Sequence, residues 1–115
     1  MQKNIYGKTS EIIAANYLKK KGYKILKTNY KNKIGEIDII AKDKNYIVFV
    51  EVKARMSRAF GDPLEAINSE KQLKIRSVAS LYLMKNKLTE ANCRFDAVAL
   101  LGEKDEDIRH VENAF

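Results

Sequence analysis

GEIDIIAKDKNYIVFVEVKAR, residues 35–55, is the stretch that decides the fold. Ile37, Ile39 and Ala41 alternate with Glu36, Asp38 and Ile40, and Val48, Val50 and Val52 alternate with Phe49, Glu51 and Lys53. That period of two is the pattern of strands, and the polar run Lys42-Asp43-Lys44-Asn45 between them reads as a turn. A hairpin centred between Lys44 and Asn45 opposes Asp38 to Glu51 and Glu36 to Lys53 on one side of the sheet.

Directly opposed carboxylates destabilise a strand pair unless a cation compensates them. A divalent metal is one such cation. Hard oxygen ligands suit Mg²⁺ or Mn²⁺, which take one or two carboxylates and keep water and phosphate oxygens elsewhere in the coordination shell. Lys53 points to the same place, where an ammonium could stabilise charge on a phosphoryl group or orient an attacking water. An isolated Glu-x-Lys on a strand is more often a solvated face. Here Glu51 and Lys53 end the most hydrophobic strand of the chain, where an unpaired charge is costly to bury.

Gly-Glu-Ile-Asp, a turn, an apolar strand and then Glu-Val-Lys-Ala-Arg resembles the YraN family of small bacterial proteins, grouped with restriction-endonuclease-like nucleases and similar to Holliday-junction resolvases. The resemblance extends to Gly7–Glu11 and to Glu112-Asn113-Ala114-Phe115, nearly the whole chain. It implies that Asp38, Glu51 and Lys53 are a D…E-x-K nuclease signature, with Glu11 as a further acidic residue near the metal. It also implies an enzyme that hydrolyses DNA phosphodiesters, branched DNA being one candidate substrate, and a homodimer. Ile37 stands where many such nucleases have Pro, and Ser10 replaces the second Gly of the family's G-x-x-G-E.

The 115 residues and 45% hydrophobic content fit one nuclease-like domain, residues 1–115, with a modest core. A net charge of +7 favours a polyanionic partner, nucleic acid first. The single cysteine, Cys93, excludes an internal disulfide and a cysteine zinc site, suits a reducing cytosol and reads as a small core residue. The first residues lack the apolar core of a signal peptide and no run is long enough to span a bilayer, so a cytoplasmic protein is expected.

In chain order, Thr9 or Ser10 caps a helix ending at Lys21, with Gly22 as its stop. Glu11, Ala14, Ala15 and Leu18 share one face of it, so Glu11 lies on the docking stripe; otherwise it is a first-turn carboxylate interacting with the helix N-terminus. Tyr23–Lys27 is a short strand, followed by a polar connection whose Lys31 and Lys33, interleaved with Tyr30, could track a nucleic-acid backbone or simply form an exposed edge. Arg55 and Arg58 begin a loop beside the carboxylates. Asn68 or Ser69 starts a second helix running to about Lys87, where Lys71, Gln72 and Arg76 could hold phosphates; the resemblance sets Gln72 near the active site. Arg94–Leu101 and Ile108–Val111 are strands, with Asp96 paired to a basic neighbour and His110 a strand residue rather than a ligand. The fold class is therefore α/β, a restriction-endonuclease-like mixed β-sheet flanked by helices in the order α-β-β-β-α-β-β. The alternative to an enzyme is a non-catalytic nucleic-acid-binding module that keeps the nuclease fold.

Overall fold

The computed structural model describes residues 2–56, 61–102 and 107–115, with the side chains of the first helix from Thr9 onward. Helix α1 (Gln2–Lys20) leads into strands β1 (Lys24–Lys31), β2 (Glu36–Asp43) and β3 (Tyr46–Arg55). A 3₁₀ turn (Pro63–Ala66), helix α2 (Ser69–Lys85) and strands β4 (Asn92–Leu101) and β5 (Ile108–Val111) complete the order expected from the sequence. The sheet runs β1-β2-β3-β4-β5 and is mixed: β3 and β4 are parallel and the other neighbours antiparallel. Parallel neighbours need a long crossover, which the 3₁₀ turn and α2 supply.

The central hairpin has the expected centre, pairing Asp43 with Tyr46, Ala41 with Val48 and Ile39 with Val50. Lys44 makes the turn in the left-handed region at φ 56°. Helix α1 lays Ala14, Ala15 and Leu18 on one face of the sheet against Ile39, Ala41, Val48 and Val50. Helix α2 lays Ile75, Val78, Ala79 and Tyr82 on the other, against Ile40, Ile47 and Phe49. Strand β4 is buried on both faces from Arg94 through Leu100, which is why Ala97–Leu100 is continuously apolar and the two charges before it, Arg94 and Asp96, are paired with each other.

Several boundaries differ from the sequence reading. Helix α1 starts at Gln2, so Thr9 and Ser10 lie inside it rather than capping it, and Glu11 is a mid-helix residue. Its end is as expected: Tyr23 N–H reaches Leu18 O, Gly22 N–H reaches Lys19 O, and Gly22 takes φ 98°, a turn that glycine adopts without steric cost. Strand β1 continues four residues beyond Lys27 to Lys31. Ile37 and Ile39 do not share a face, because Ile37 packs with the α2 cluster and Ile39 with the α1 cluster. The alternation breaks at Asp38, where the neighbouring strand carries Asn29 at φ 51°. Cys93 is exposed at the start of β4, not a core residue. Arg58 and Phe60 lie outside the described residues.

The chain also buries a polar cluster on the α1 side. Arg94 donates from Nε to Asp96 Oδ1 at 2.9 Å, from Nη2 to Asp96 Oδ2 at 3.0 Å and to Tyr23 Oη at 2.6 Å, and from Nη1 to Asp43 at 3.2 Å. Lys21 Nζ donates to His110 Nδ1, and His110 Nε2 to Asp96 Oδ2. The Asn113 backbone N–H completes the Asp96 shell at 3.1 Å. Burial alone would raise the Asp96 pKa, but His110, Arg94 and the Asn113 amide outweigh it and hold the carboxyl below its ordinary value. A buried pair with one partner deleted leaves an uncompensated charge, so Arg94→Met should cost about 3–5 kcal/mol in urea unfolding at pH 7. Because the native pKa of Asp96 is depressed, its contribution is fully present above the unfolded carboxylate value near ~4 and is lost as pH falls through the native one. Wild type should therefore lose stability below about pH 4 more steeply than Asp96→Asn.

Candidate active site at the divergence of β2 and β3

The β2–β3 ladder ends at Ile39 and Val50, and beyond it a side chain replaces the backbone. Val52 N–H, which would otherwise seek a β2 carbonyl, donates to Asp38 Oδ2 at 2.8 Å. Asp38 is thus held in the fork between the strands, within hydrogen-bonding reach of Glu51 on β3. Burial, and then the Glu51 carboxylate beside it, pushes the Asp38 pKa up to about 8. Two carboxyl groups this close cannot both be charged without a cation, as the register from the sequence required.

Cations come from both sides of the β3 face. Lys53 Nζ lies 3.5 Å and Lys71 Nζ 3.0 Å from the same oxygen, Glu51 Oε2, and the Glu51 side chain is only 5% exposed. Burial and the adjoining Lys71 lower the Lys53 pKa. Lys71 is also partly desolvated, but its bond to Glu51 outweighs that and raises its pKa. From the opposite face of the sheet α1 brings Glu11, whose Oε1 is buried and has no hydrogen-bond partner. Its pKa is raised by burial, opposed by Asn29 and reinforced by Glu36 and Glu51.

This donor set fits a hard divalent ion. Asp38 and Glu51 could hold it, with water and substrate oxygens in the remaining positions. Glu11 does not join them in a closed cage: among the described residues no group of three or more His, Cys, Asp and Glu side chains converges as a metal-binding set. Glu36, which the hairpin register set opposite Lys53, is instead exposed and ion-paired with Lys31 at 3.8 Å, because β2 has left β3 by that point.

A groove of about 710 Å³ leads away from Lys71, walled by Lys31, Asn32, Gly35 and Glu36 on the β1–β2 side and by Asn68, Glu70, Lys71, Lys74 and Ile75 of α2. Asn32 fixes its outer wall: its Oδ1 accepts from Ile34 and Gly35 N–H, and its Nδ2 donates to Val78 O at 3.3 Å. Gly35 lies so close to α2 that an added Cβ would stand 3.3 Å from Val78 Cγ2. Of the basic residues singled out in the sequence, Lys31 and Lys71 line the groove, whereas Lys33 and Arg55 do not. Arg76 lies over the Phe95 ring, 4.5 Å from its centroid, and Gln72 Nε2 donates to Ile67 O at 3.1 Å. Both are engaged away from the groove.

The sequence reading missed that Lys71 sits on Glu51 itself. The signal was available: a crossover helix begins near the carboxyl end of the strand before it, and Glu51 and Lys53 lie toward that end of β3. It also missed Asn32, which sequence pattern alone does not distinguish from other loop asparagines.

The sequence model of the family described as "Uncharacterised protein family UPF0102" matches residues 10–100, a span that holds Glu11, the fork, the groove and α2. The chain is 52% identical to a UPF0102 protein of Alkaliphilus oremlandii across the full length of both. It is 48% identical to one of Lachnoclostridium phytofermentans over all of this chain and 96% of the relative, and 50% identical to one of Clostridioides difficile over 95% of each. With residues 10–100 matched by the family model and relatives about half identical over at least 95% of both chains, the chain belongs to the UPF0102 family, which is the YraN family.

Proposed function

We propose that the protein is a metal-dependent endonuclease acting on the phosphodiesters of DNA. The observation that carries this reading is the meeting of Asp38 and Lys53 at Glu51, whose other ammonium partner, Lys71, also lines the neighbouring groove. Mg²⁺ or Mn²⁺, when bound, supplies positive charge to a phosphoryl oxygen and a more acidic water. The remaining roles belong to the chain. Asp38 and Glu51 would hold the ion, and the Val52 amide fixes the Asp38 carboxyl in one orientation. Lys53, half-buried and tethered to Glu51, faces the phosphate and offsets charge that grows as water oxygen bonds to phosphorus and the ester oxygen leaves. Glu11 would orient the attacking water and take its proton, and the departing ester oxygen would take a proton from solvent. Lys31, Lys71 and Lys74 attract the phosphates flanking the scissile one. Two such sites in a homodimer would address two strands, a part of the proposal that rests on the likeness to junction resolvases. No helix among the described residues is long and apolar enough to cross a membrane.

A second reading, a binding module without hydrolysis, has one observation in its favour: Glu51 Oε2 is already engaged by two ammonium groups. Nicking assays on branched, duplex and single-stranded DNA with Mg²⁺ or Mn²⁺ separate the two. Cleavage by wild type, reduced at least about 10²-fold in Asp38→Asn and in Lys53→Met, is expected of the enzyme. Salt-sensitive DNA binding with no cleavage in any protein would establish the binding module instead.

The Asp38–Glu51 pair gives the site a pH signature. With its pKa raised to about 8, Asp38 is protonated at neutral pH without metal, and an ion must displace that proton. Mn²⁺ affinity measured by calorimetry without DNA should rise with pH up to about 8 and then level off, and protons should be released below that point. The same raised pKa makes the carboxyl a liability to the fold, its ionisation favouring the unfolded chain as pH rises from the ordinary carboxylate value. Asp38→Asn should therefore melt several degrees higher than metal-free wild type at pH 8, and its Mn²⁺ affinity should be far weaker.

A further inference from the structure

Lys71 has two places to be. Its backbone is fixed in the first turn of α2, where its N–H donates to the capping Asn68 Oδ1 at 2.9 Å. Its side chain is 42% exposed and lines the groove, yet its ammonium rests on Glu51 Oε2, nearer than Lys53 does. Glu51 is the carboxylate a divalent ion would need. Two ammonium groups and a divalent cation cannot crowd one buried carboxylate without strong repulsion. Lys53 has less freedom to leave, because it springs from β3 two residues from Glu51 and its side chain is 25% exposed. Lys71 has the open groove beside it.

We infer that Lys71 is the resident counter-ion of Glu51, displaced into the groove when the divalent ion arrives, so that metal loading and capture of a substrate phosphate are coupled through one side chain. This deepens the nuclease reading and rests on it. In the metal-free protein Lys71 stabilises Glu51 and competes with the metal; in the loaded protein its charge is released to the groove, where it adds a phosphate contact. Metal and DNA therefore strengthen each other's binding, because each favours the same position of Lys71. Lys71 acts by positioning, not by touching the reacting atoms.

The coupling has a sign that a structural role would not produce. Mn²⁺ binding without DNA, followed by calorimetry or by the loss of the free-ion electron spin resonance signal, should be about tenfold tighter in Lys71→Gln than in wild type. Lys71→Arg should be no tighter than wild type, and neither should Lys74→Gln, which removes a groove charge that makes no ion pair with Glu51. In parallel, Mn²⁺ should strengthen the binding of a DNA duplex by wild type, and this enhancement should fall at least threefold in Lys71→Gln. Thermal melts report that each variant is folded. Mn²⁺ binding by wild type with equal or weaker binding by Lys71→Gln would overturn the inference and leave the metal site standing. Absence of Mn²⁺ binding in wild type and Lys71→Gln alike would overturn both, whereas binding only in Lys71→Gln would support the inference in its strongest form.

Discussion

The pairing of Asp38 with Glu51 at the open end of a hairpin is the constraint on which the site depends. A hairpin with alternating apolar residues and a polar turn fixes its own register, and here that register directs two carboxyl groups toward one another. The strands respond by separating. The backbone bond that would have continued the ladder is replaced by the Asp38 side chain on Val52 N–H, and the cleft so opened is reached by Glu11 from one helix and Lys71 from the other. The parallel neighbour β4 makes this tolerable, since it pairs with β3 along its whole length and keeps β3 straight where β2 leaves it.

What could be read from the sequence follows from how local each cause is. The hairpin centre, the order of elements, the Gly22 stop and the Asn68 cap all depend on residues a few positions apart, and each has the expected form. The errors arise where distant elements decide. Thr9 and Ser10 look like caps in isolation, but the helix continues through them to Gln2. Ile37 follows the period of its strand until Asn29, in the adjacent strand, takes a left-handed conformation opposite the break. The proximity of Asp38, Glu51 and Lys53 could be read because one hairpin carries all three. The contact of Lys71 with Glu51 could not, as it requires knowing where α2 begins above the sheet.

Net charge was a weaker guide than residue placement. Among the described residues several basic side chains are engaged within the fold: Arg94 is buried in ion pairs, Arg76 lies over Phe95, and Arg109 is bound to Asp62 at 2.6 Å. The groove beside the fork carries Lys31, Lys71 and Lys74 against Glu36 and Glu70, a small surplus in the place where position matters. Long-range attraction of a polyanion depends on the summed surface charge, whereas orienting a single phosphate depends on a few placed side chains.

Two buried polar clusters among the described residues contrast physically. Around Asp96 every requirement is met: both oxygens accept charged or polar donors, the carboxyl is held in its ionised form, and β4 is tied to β5 and to the segment after it. Around Asp38 the requirements conflict. The Asp38 carboxyl is driven toward its neutral form by burial and then by Glu51 beside it, an oxygen of Glu11 has no donor, and burial pushes Lys53 toward losing its charge. A cluster of the first kind gains nothing from a ligand, because binding would break bonds already made. The second kind is relieved by one, since a cation placed between the carboxylates turns their repulsion into attraction. A fold of this size can keep such a conflict only while the rest of its core offsets it, and the Arg94–Asp96 cluster, joining the end of α1 to β4 and β5, lies among the contacts that do so.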